Sequence, residues 1–302
     1  MTFSDGRSVA VLTHIHRQAA IDAAVRFTEG LLGKGITVEF PQSDLAHLGL
    51  DLDHVQALDP EAPDVELVVV FGGDGTILRA AEWALSHDIP LLGVNLGHVG
   101  FLAEADPHEV DVVVEQVVER SWTLEERLTA EVVVQDGTHE LWRSFAVNEV
   151  SIEKDARERM LEVMVSVDGR PLSRWGCDGV LVATPTGSTA YAFSAGGPVV
   201  WPGVEALLMV PLSAHALFAR PMVLSPQSLV EVELINDTPD TRGVVWCDGR
   251  RSIKLTAGMR VSVRAHEHVL RLARLSQAPF TDRLVKKFGL QVEGWRGAAH
   301  VD

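Results

Sequence analysis

Leu67-Val68-Val69-Val70-Phe71-Gly72-Gly73-Asp74-Gly75-Thr76 is the stretch on which the fold turns. An uninterrupted apolar run suits a strand buried on both faces, and Ile77 to Leu85 continues with helical periodicity. The glycines therefore mark a sharp strand-to-helix turn, where backbone without Cβ atoms approaches a ligand and N–H groups at a helix start favour anionic phosphate. Gly72, Gly73, Gly75 and Thr76 are the phosphate-loop candidates. The one charged side chain among them, Asp74, is acidic. A carboxylate repels phosphate unless a cation lies between them or its role is to take a proton, so the turn points to phosphoryl chemistry. A plain glycine turn with a capping aspartate is the competing reading.

Two other glycine loops do not fit. A P-loop requires a lysine that is absent here, and a G-x-G-x-x-G fingerprint starting at Gly73 would end on Leu78. Upstream and downstream, short apolar runs alternate with helical segments. Val9 to Leu12, Ile36 to Phe40, Glu66 to Phe71 and Leu91 to Val94 read as strands; Ala19 to Leu32 and Val110 to Val118 read as helices. That order predicts a parallel sheet covered on both faces, with ligands beyond the carboxyl ends of its strands.

After about Trp122 the period becomes two, as in Ala130 to Val134 and Leu161 to Val167, the latter followed by an Asp168-Gly169 hairpin turn. Further short strands at Val180 to Ala183, Leu229 to Ile235, Gly243 to Cys247 and Arg260 to Val263 predict an all-β sandwich. The fold class expected is α/β plus all-β. A Rossmann-like domain spans residues 1–124, a β-sandwich 125–275, and a tail 276–302, helical from Thr281 to Phe288, packs back on the first domain.

The 302 residues, 46% hydrophobic and 23% charged, are enough for two sizeable cores. A net charge of −16 argues against nucleic-acid binding, whose footprint is basic. Handling phosphate then needs local compensation from Arg79, Arg157 and Arg159, Arg174, or Arg250-Arg251, with a divalent metal supplying the rest. Cys177 and Cys247 lack metal-ligand spacing and suggest a reducing compartment. With no apolar run near the ~18 residues of a membrane span and no signal-peptide pattern at the start, no membrane association and a cytoplasmic location are expected.

Three more motifs accompany the first: Asn95-Leu96-Gly97-His98-Val99-Gly100-Phe101-Leu102, Asn148-Glu149, and Cys177-Asp178-Gly179 leading into Thr184-Pro185-Thr186-Gly187-Ser188-Thr189-Ala190-Tyr191-Ala192-Phe193-Ser194-Ala195-Gly196-Gly197-Pro198. Together they closely resemble the NAD kinase family over most of the chain. The resemblance implies a Rossmann-like domain, a β-sandwich domain and an active site in the crevice between them. It implies transfer of a phosphoryl group from ATP or polyphosphate to the 2′-hydroxyl of the adenosine ribose of NAD. Mg2+ is the expected metal, held mainly by the donor phosphates, and the assembly expected is a homodimer or homotetramer.

On the same resemblance Asp74 is the general base, and Gly75 lets the backbone pass close to the ribose. Asn148 and Glu149 take the adenosine, while Asp178 and the run Thr189, Ala190, Tyr191, Ala192, Phe193 and Ser194 cradle the nicotinamide side. Arg79, Arg159, Arg250 and the backbone of Gly176 complete the expected contacts. The chemistry suits the residue types: a carboxylate can accept the hydroxyl proton as it attacks phosphorus, an amide reads an adenine edge, and a carboxylate accepts from ribose hydroxyls. Each short motif has a plainer reading. Asn148-Glu149 can be a strand end, Asp178-Gly179 a turn, Thr186 to Ser188 a glycine loop and Asp248-Gly249-Arg250 a hairpin. The rival functions are a lipid kinase of the diacylglycerol or sphingosine type and a non-catalytic NAD sensor.

Overall fold

β1 (Ser8–Thr13), β4 (Leu67–Phe71) and β5 (Leu91–Val94) are buried along their whole length, as continuous apolar strands covered on both faces must be. They form the centre of a mostly parallel sheet. The structure, a computed structural model, describes residues 6–48, 55–61, 63–95, 100–105, 109–155, 160–235, 242–276 and 279–292. The chain divides into two compact units, one made of Met1–Glu126 and Leu270–Asp302, the other of Arg127–Val269.

In the first unit β2 (Thr37–Phe40), β3 (Val55–Ala57), β6 (Ala103–Ala105), β7 (Thr123–Arg127) and β20 (Leu270–Arg274) complete the sheet, in the order β3-β2-β1-β4-β5-β20-β7 with β6 beside β5. The pairs β1/β2, β2/β3, β1/β4, β4/β5 and β5/β20 are parallel. Helices α1 (Gln18–Gly33) and α4 (Val110–Val118) pack Phe27, Leu31, Val113 and Val117 onto Val9, Val11, Val69 and Phe71. α3 (Asp74–Ser86) covers the opposite face, where Gly93 gives way to Ile77: a Cβ on Gly93 would stand 2.5 Å from Ile77 Cδ1. α2 (Gln42–Leu48) follows β2 and sends Leu48 into the first core. Sequential order runs outward in both directions from β1 and β4, so the reversal point lies at their carboxyl ends. The Gly72-Gly73 turn leaves β4 there.

Two expectations shift. The helix after the glycine turn starts at Asp74 and not at Ile77, because extended Gly73 ends the turn and its carbonyl accepts from both Thr76 and Ile77 N–H. Asp74 is thus a first-turn helical residue, a place that favours a carboxylate. The strand pattern places the end of the second domain at residue 275, whereas β20 already lies in the first sheet, with Leu272 opposite Leu91. The tail then forms α6 (Phe280–Phe288).

The second unit is a sandwich of two six-stranded antiparallel sheets. One holds β8 (Ala130–Asp136), β9 (His139–Ala146), β11 (Leu161–Val167), β12 (Arg170–Cys177), β16 (Val230–Leu234) and β19 (Met259–Ala265) in the order β12-β11-β16-β19-β8-β9. The other holds β10 (Glu149–Lys154), β13 (Gly179–Ala183), β14 (Leu207–Leu212), β15 (Met222–Leu224), β17 (Arg242–Cys247) and β18 (Arg251–Thr256) in the order β15-β14-β13-β10-β17-β18. Alternate residues such as Val132, Val163, Val232 and Val261 of the first meet Val150, Ile152, Val182 and Met209 of the second in one core. Asp168 and Gly169, at φ 52° and 72°, make the expected hairpin turn. Both cysteines are buried in the sandwich. Among the described residues no helix is long and apolar enough to cross a membrane.

Trp175 is fully buried between the sheets. Trp175→Ala is expected to destabilise the protein by about 3–5 kcal/mol through lost burial and the cavity left behind, read as a lower urea midpoint.

Candidate active site

Asp74 is held by a segment distant in sequence. Phe101 N–H donates to its Oδ2 at 3.2 Å and Leu102 N–H to its Oδ1 at 3.3 Å. Gly100 makes this approach feasible, since a Cβ there would fall on Asp74 Oδ1. Each carboxylate oxygen keeps a further lone pair for a proton donor. Gly72 is required by packing, as its Cβ would stand 2.5 Å from Thr76 Oγ1. At Gly73 and Gly75 an added Cβ meets nothing within 4 Å among the described residues, and neither has a positive φ. Neither internal packing nor backbone conformation calls for glycine at these two positions. Helix α3 leaves the N–H groups of Asp74 and Gly75 without intrahelical acceptors, and Gly75 is exposed. Arg79, just over one helical turn further on, donates to Thr13 O at 2.8 Å and lies 3.7 Å from the buried carboxylate of Asp44. It lines a cavity of about 340 Å³ with Gln42, Ser43 and Trp83. Residues 96–99 of the second motif lie outside the described residues.

In the second unit Asn148 immediately precedes β10 and Glu149 opens it. Their backbone is fixed by Asp248, whose carboxylate accepts from the N–H groups of Val147 at 2.9 Å, Asn148 at 2.7 Å and Glu149 at 3.3 Å. Asp248 and Gly249, at φ 54° and 64°, form a hairpin turn. The plainer reading of that segment therefore holds for its backbone, and the side chain of Asp248 is an internal brace. Arg251 supports it from Nη2 at 3.2 Å, with its guanidinium 4.1 Å from the centre of the Phe145 ring. Arg250 is exposed at the turn. Thr184 N–H donates to Asn148 O at 2.9 Å, and Gly187 packs so closely on that peptide that no Cβ would fit.

Period two along β10 puts Val150 and Ile152 into the core and Glu149, Ser151 and Glu153 on the other face. Glu149 is buried, accepts from Tyr191 N–H, and its Oε2 has no hydrogen-bond partner among the described residues. Burial above all, then the nearby Asp248 charge, pushes its carboxyl up to about 8. At neutral pH this group is mostly protonated, so it donates as well as accepts, where residue type alone suggests a carboxylate. Asp248 is raised too, chiefly by its own burial.

Asp178, at the far end of β13, pairs with Lys154, which together with Ser213 holds its carboxyl below the ordinary value. The Tyr191 hydroxyl bonds Glu153. Asp178, Tyr191 and Ser194 come together around a cavity of about 530 Å³ with Glu153, Lys154 and Ser213. No motif marks the last three, although the alternation of β10 places Glu153 on the face of Glu149. Within Thr189 to Ser194, Tyr191, Phe193 and Ser194 are exposed, Thr189 and Ala190 half-buried, and Ala192 belongs to a small core with Leu181 and Val210. The hydroxyls of Thr184, Ser188 and Thr189 are spent internally: Thr184 Oγ1 donates to Val147 O, Ser188 Oγ to Pro185 O and Thr189 Oγ1 to Thr186 O. The carbonyl of Gly176 accepts from His215 N–H. Arg174 pairs with Glu162 on the surface. Arg157 and Arg159 lie outside the described residues.

The ATP-NAD kinase N-terminal domain family matches residues 9–122, and the ATP-NAD kinase C-terminal domain family residues 147–275. The chain is 52% identical over 303 residues to NAD kinase 2 of Streptomyces avermitilis, covering 99% of this chain and 100% of that protein. It is 52% identical over 300 residues to the NAD kinase of Cutibacterium acnes, covering 97% and 93%. Among solved structures it is similar to yeast NADH kinase complexed with NADH, with TM-score 0.85, 24% identity and coverage of 95% and 89%, a likeness of fold alone. It is also similar to an NAD kinase from Archaeoglobus fulgidus in complex with ATP, with TM-score 0.71, 26% identity and coverage of 94% and 100%.

Glu149 generates a test through pH. Its acid ionises near 4.5 in the unfolded chain and near 8 in the folded one, so folding retains a proton that unfolding releases. The stabilisation is full below the lower value and is lost as pH rises through the upper one. Glu149→Gln, which mimics the protonated group, is expected to show a flatter melting temperature against pH across that window than the parent protein.

Proposed function

The chain belongs to the ATP-NAD kinase family and phosphorylates NAD to NADP with ATP as donor, and we propose that Asp74 is the base that takes the proton of the acceptor hydroxyl. The observation that carries this is the posture of Asp74. It is the carboxylate of the glycine turn, placed at the reversal point of a parallel sheet and oriented by two backbone N–H groups. The 2′-hydroxyl of the adenosine ribose loses its proton to Asp74 while its oxygen attacks the terminal phosphorus of the donor, and ADP leaves. Gly73 and Gly75, which carry no Cβ toward open space, let phosphate or ribose approach the N–H groups that start α3. Arg79 is the proposed phosphate contact from that helix, through the guanidinium N–H groups that Thr13 does not use.

Asn148 and Glu149 are proposed to hold the adenosine. The unpartnered Oε2 of Glu149 supports this, because a buried oxygen without a donor is costly and a ribose hydroxyl supplies one. Asp178, Tyr191 and Ser194 are proposed for the nicotinamide side through the cavity they share. Thr189, Ala190, Ala192, Phe193, Gly176, Arg159 and Arg250 are likewise proposed as NAD contacts, Ala192 and Gly176 through backbone alone. The lipid-kinase reading is set aside by the family match. A sensor without catalysis does not account for a carboxylate held ready in the phosphate turn.

Among the described residues no three His, Cys, Asp or Glu side chains converge as metal ligands. The described residues offer no ligand set of their own, so Mg2+ is proposed to arrive on the donor phosphates, where it would neutralise developing charge. Polyphosphate as a second donor, a cytoplasmic location and a homodimer or homotetramer are likewise proposed. Exposed Trp201, Leu217, Phe218 and Val223 on the second unit support self-association.

Asp74→Asn keeps the shape and removes the basic oxygen. Turnover, followed as NADP by an NADP-specific dehydrogenase, is expected to fall of order 10²-fold or more with NAD affinity nearly unchanged, and near-normal turnover would remove Asp74 from the role. Exhaustive chelation of divalent metal is expected to abolish activity and added Mg2+ to restore it. Full rates in chelator would show that the arginines suffice.

A further inference from the structure

Resting on the reading of Asp74 as the base, we propose that the C-terminal helix α6 sets the position of that carboxylate, with Arg283 and Arg274 as positioning residues acting through the backbone of Phe101 and Leu102. The two residues that donate N–H groups to Asp74 have their carbonyls gripped from the other side. Arg283 Nη1 donates to Phe101 O at 3.1 Å, and Arg274 Nη1 to Leu102 O at 3.3 Å. The Phe101 carbonyl and the Leu102 N–H belong to one peptide group, so that plane is pinned at one edge by Arg283 and delivers its hydrogen to Asp74 Oδ1 at the other. A charged donor on the carbonyl also polarises the peptide and strengthens its N–H bond.

The rest of α6 serves the same contact. No residue of the helix is fully buried, yet Phe280 and Phe288 set their rings 5.6 and 6.0 Å from the ring of Phe101, itself 5% exposed. Arg274 is fixed by Glu125 and is itself buried. Within residues 100–102, Gly100 admits the Asp74 oxygen, Phe101 transmits the grip of the tail and Leu102 that of the end of β20. None of these groups touches substrate under this proposal. Displacement of a catalytic group by a fraction of an ångström is enough to slow a phosphoryl transfer that depends on alignment.

Arg283→Met keeps the aliphatic stem and removes the donors. The expected result is a fall in kcat of roughly tenfold with KM for NAD and the melting temperature little changed, and partial recovery in Arg283→Lys. Introduced into the Asp74→Asn protein, Arg283→Met should change kcat by less than about twofold, because the group it positions has lost its basic oxygen. Unchanged kcat in Arg283→Met, or the same loss in both backgrounds, overturns the proposal. A near-normal rate for Asp74→Asn alone overturns the reading on which it rests, whereas a slow Asp74→Asn protein with an indifferent Arg283→Met overturns only the role of the tail.

Discussion

The grip of the Phe101 and Leu102 N–H groups on Asp74 is the interaction around which the first unit is arranged. A side chain at a helix start has several rotamers, and only one of them meets the Phe101 and Leu102 N–H groups. Here the choice is made by backbone that arrives from beyond β5, pressed close by the absence of a Cβ at Gly100. The parallel order of the sheet makes that meeting feasible. β4 and β5 are neighbours, with Phe71 opposite Val94, so the chain leaving each strand emerges at the same edge. Gly72 N–H donates to Val94 O at 3.1 Å and ties the two exits together.

The second unit uses carboxyl groups differently. Asp248 spends its oxygens on three consecutive backbone N–H groups and so fixes the entry of β10, while Glu149 is buried with one oxygen unspent. Two acids this close in an apolar setting cannot both ionise cheaply, and both are raised, with the surroundings favouring a proton on Glu149 at neutral pH. A neutral acid donates as well as accepts, which a carboxylate cannot do. Lys154 keeps Asp178 ionised further along the same sheet, so the acids of one face stand in different protonation states for local reasons.

Much of this is legible in the chain. Uninterrupted valines announce doubly covered strands, period two announces the sandwich, and Asp168-Gly169 announces its hairpin. Asp74, Asn148, Glu149 and Asp178 stand out because residue type and motif agree. What escapes is whatever depends on long-range pairing. Short strands such as β7 and β15 have too few residues to show a period, and Leu270–Arg274 has the alternation of a sandwich strand although it lies in the parallel sheet. Periodicity places the start of α3 three residues late because glycine and aspartate carry turn propensity, which the capping carbonyl of Gly73 overrides.

By itself the sequence determined the two kinds of layer, the glycine turn and the chemical types available to the site, since these follow from local patterns of polarity, Cβ absence and side-chain acidity. Tertiary structure alone decided which carboxyl is oriented by two distant backbone donors, which is a brace and which a neutral acid. Asp74, Asp248 and Glu149 have almost the same chemistry, and although the glycine turn singles out Asp74, no local pattern gives the orientation or protonation state of any of them. They differ in what surrounds them: two backbone donors from a distant loop, three from consecutive residues 147–149, or burial with one backbone donor and one unused oxygen. Protonation and orientation are set by burial and by partners far along the chain, and these exist only once the sheets have closed.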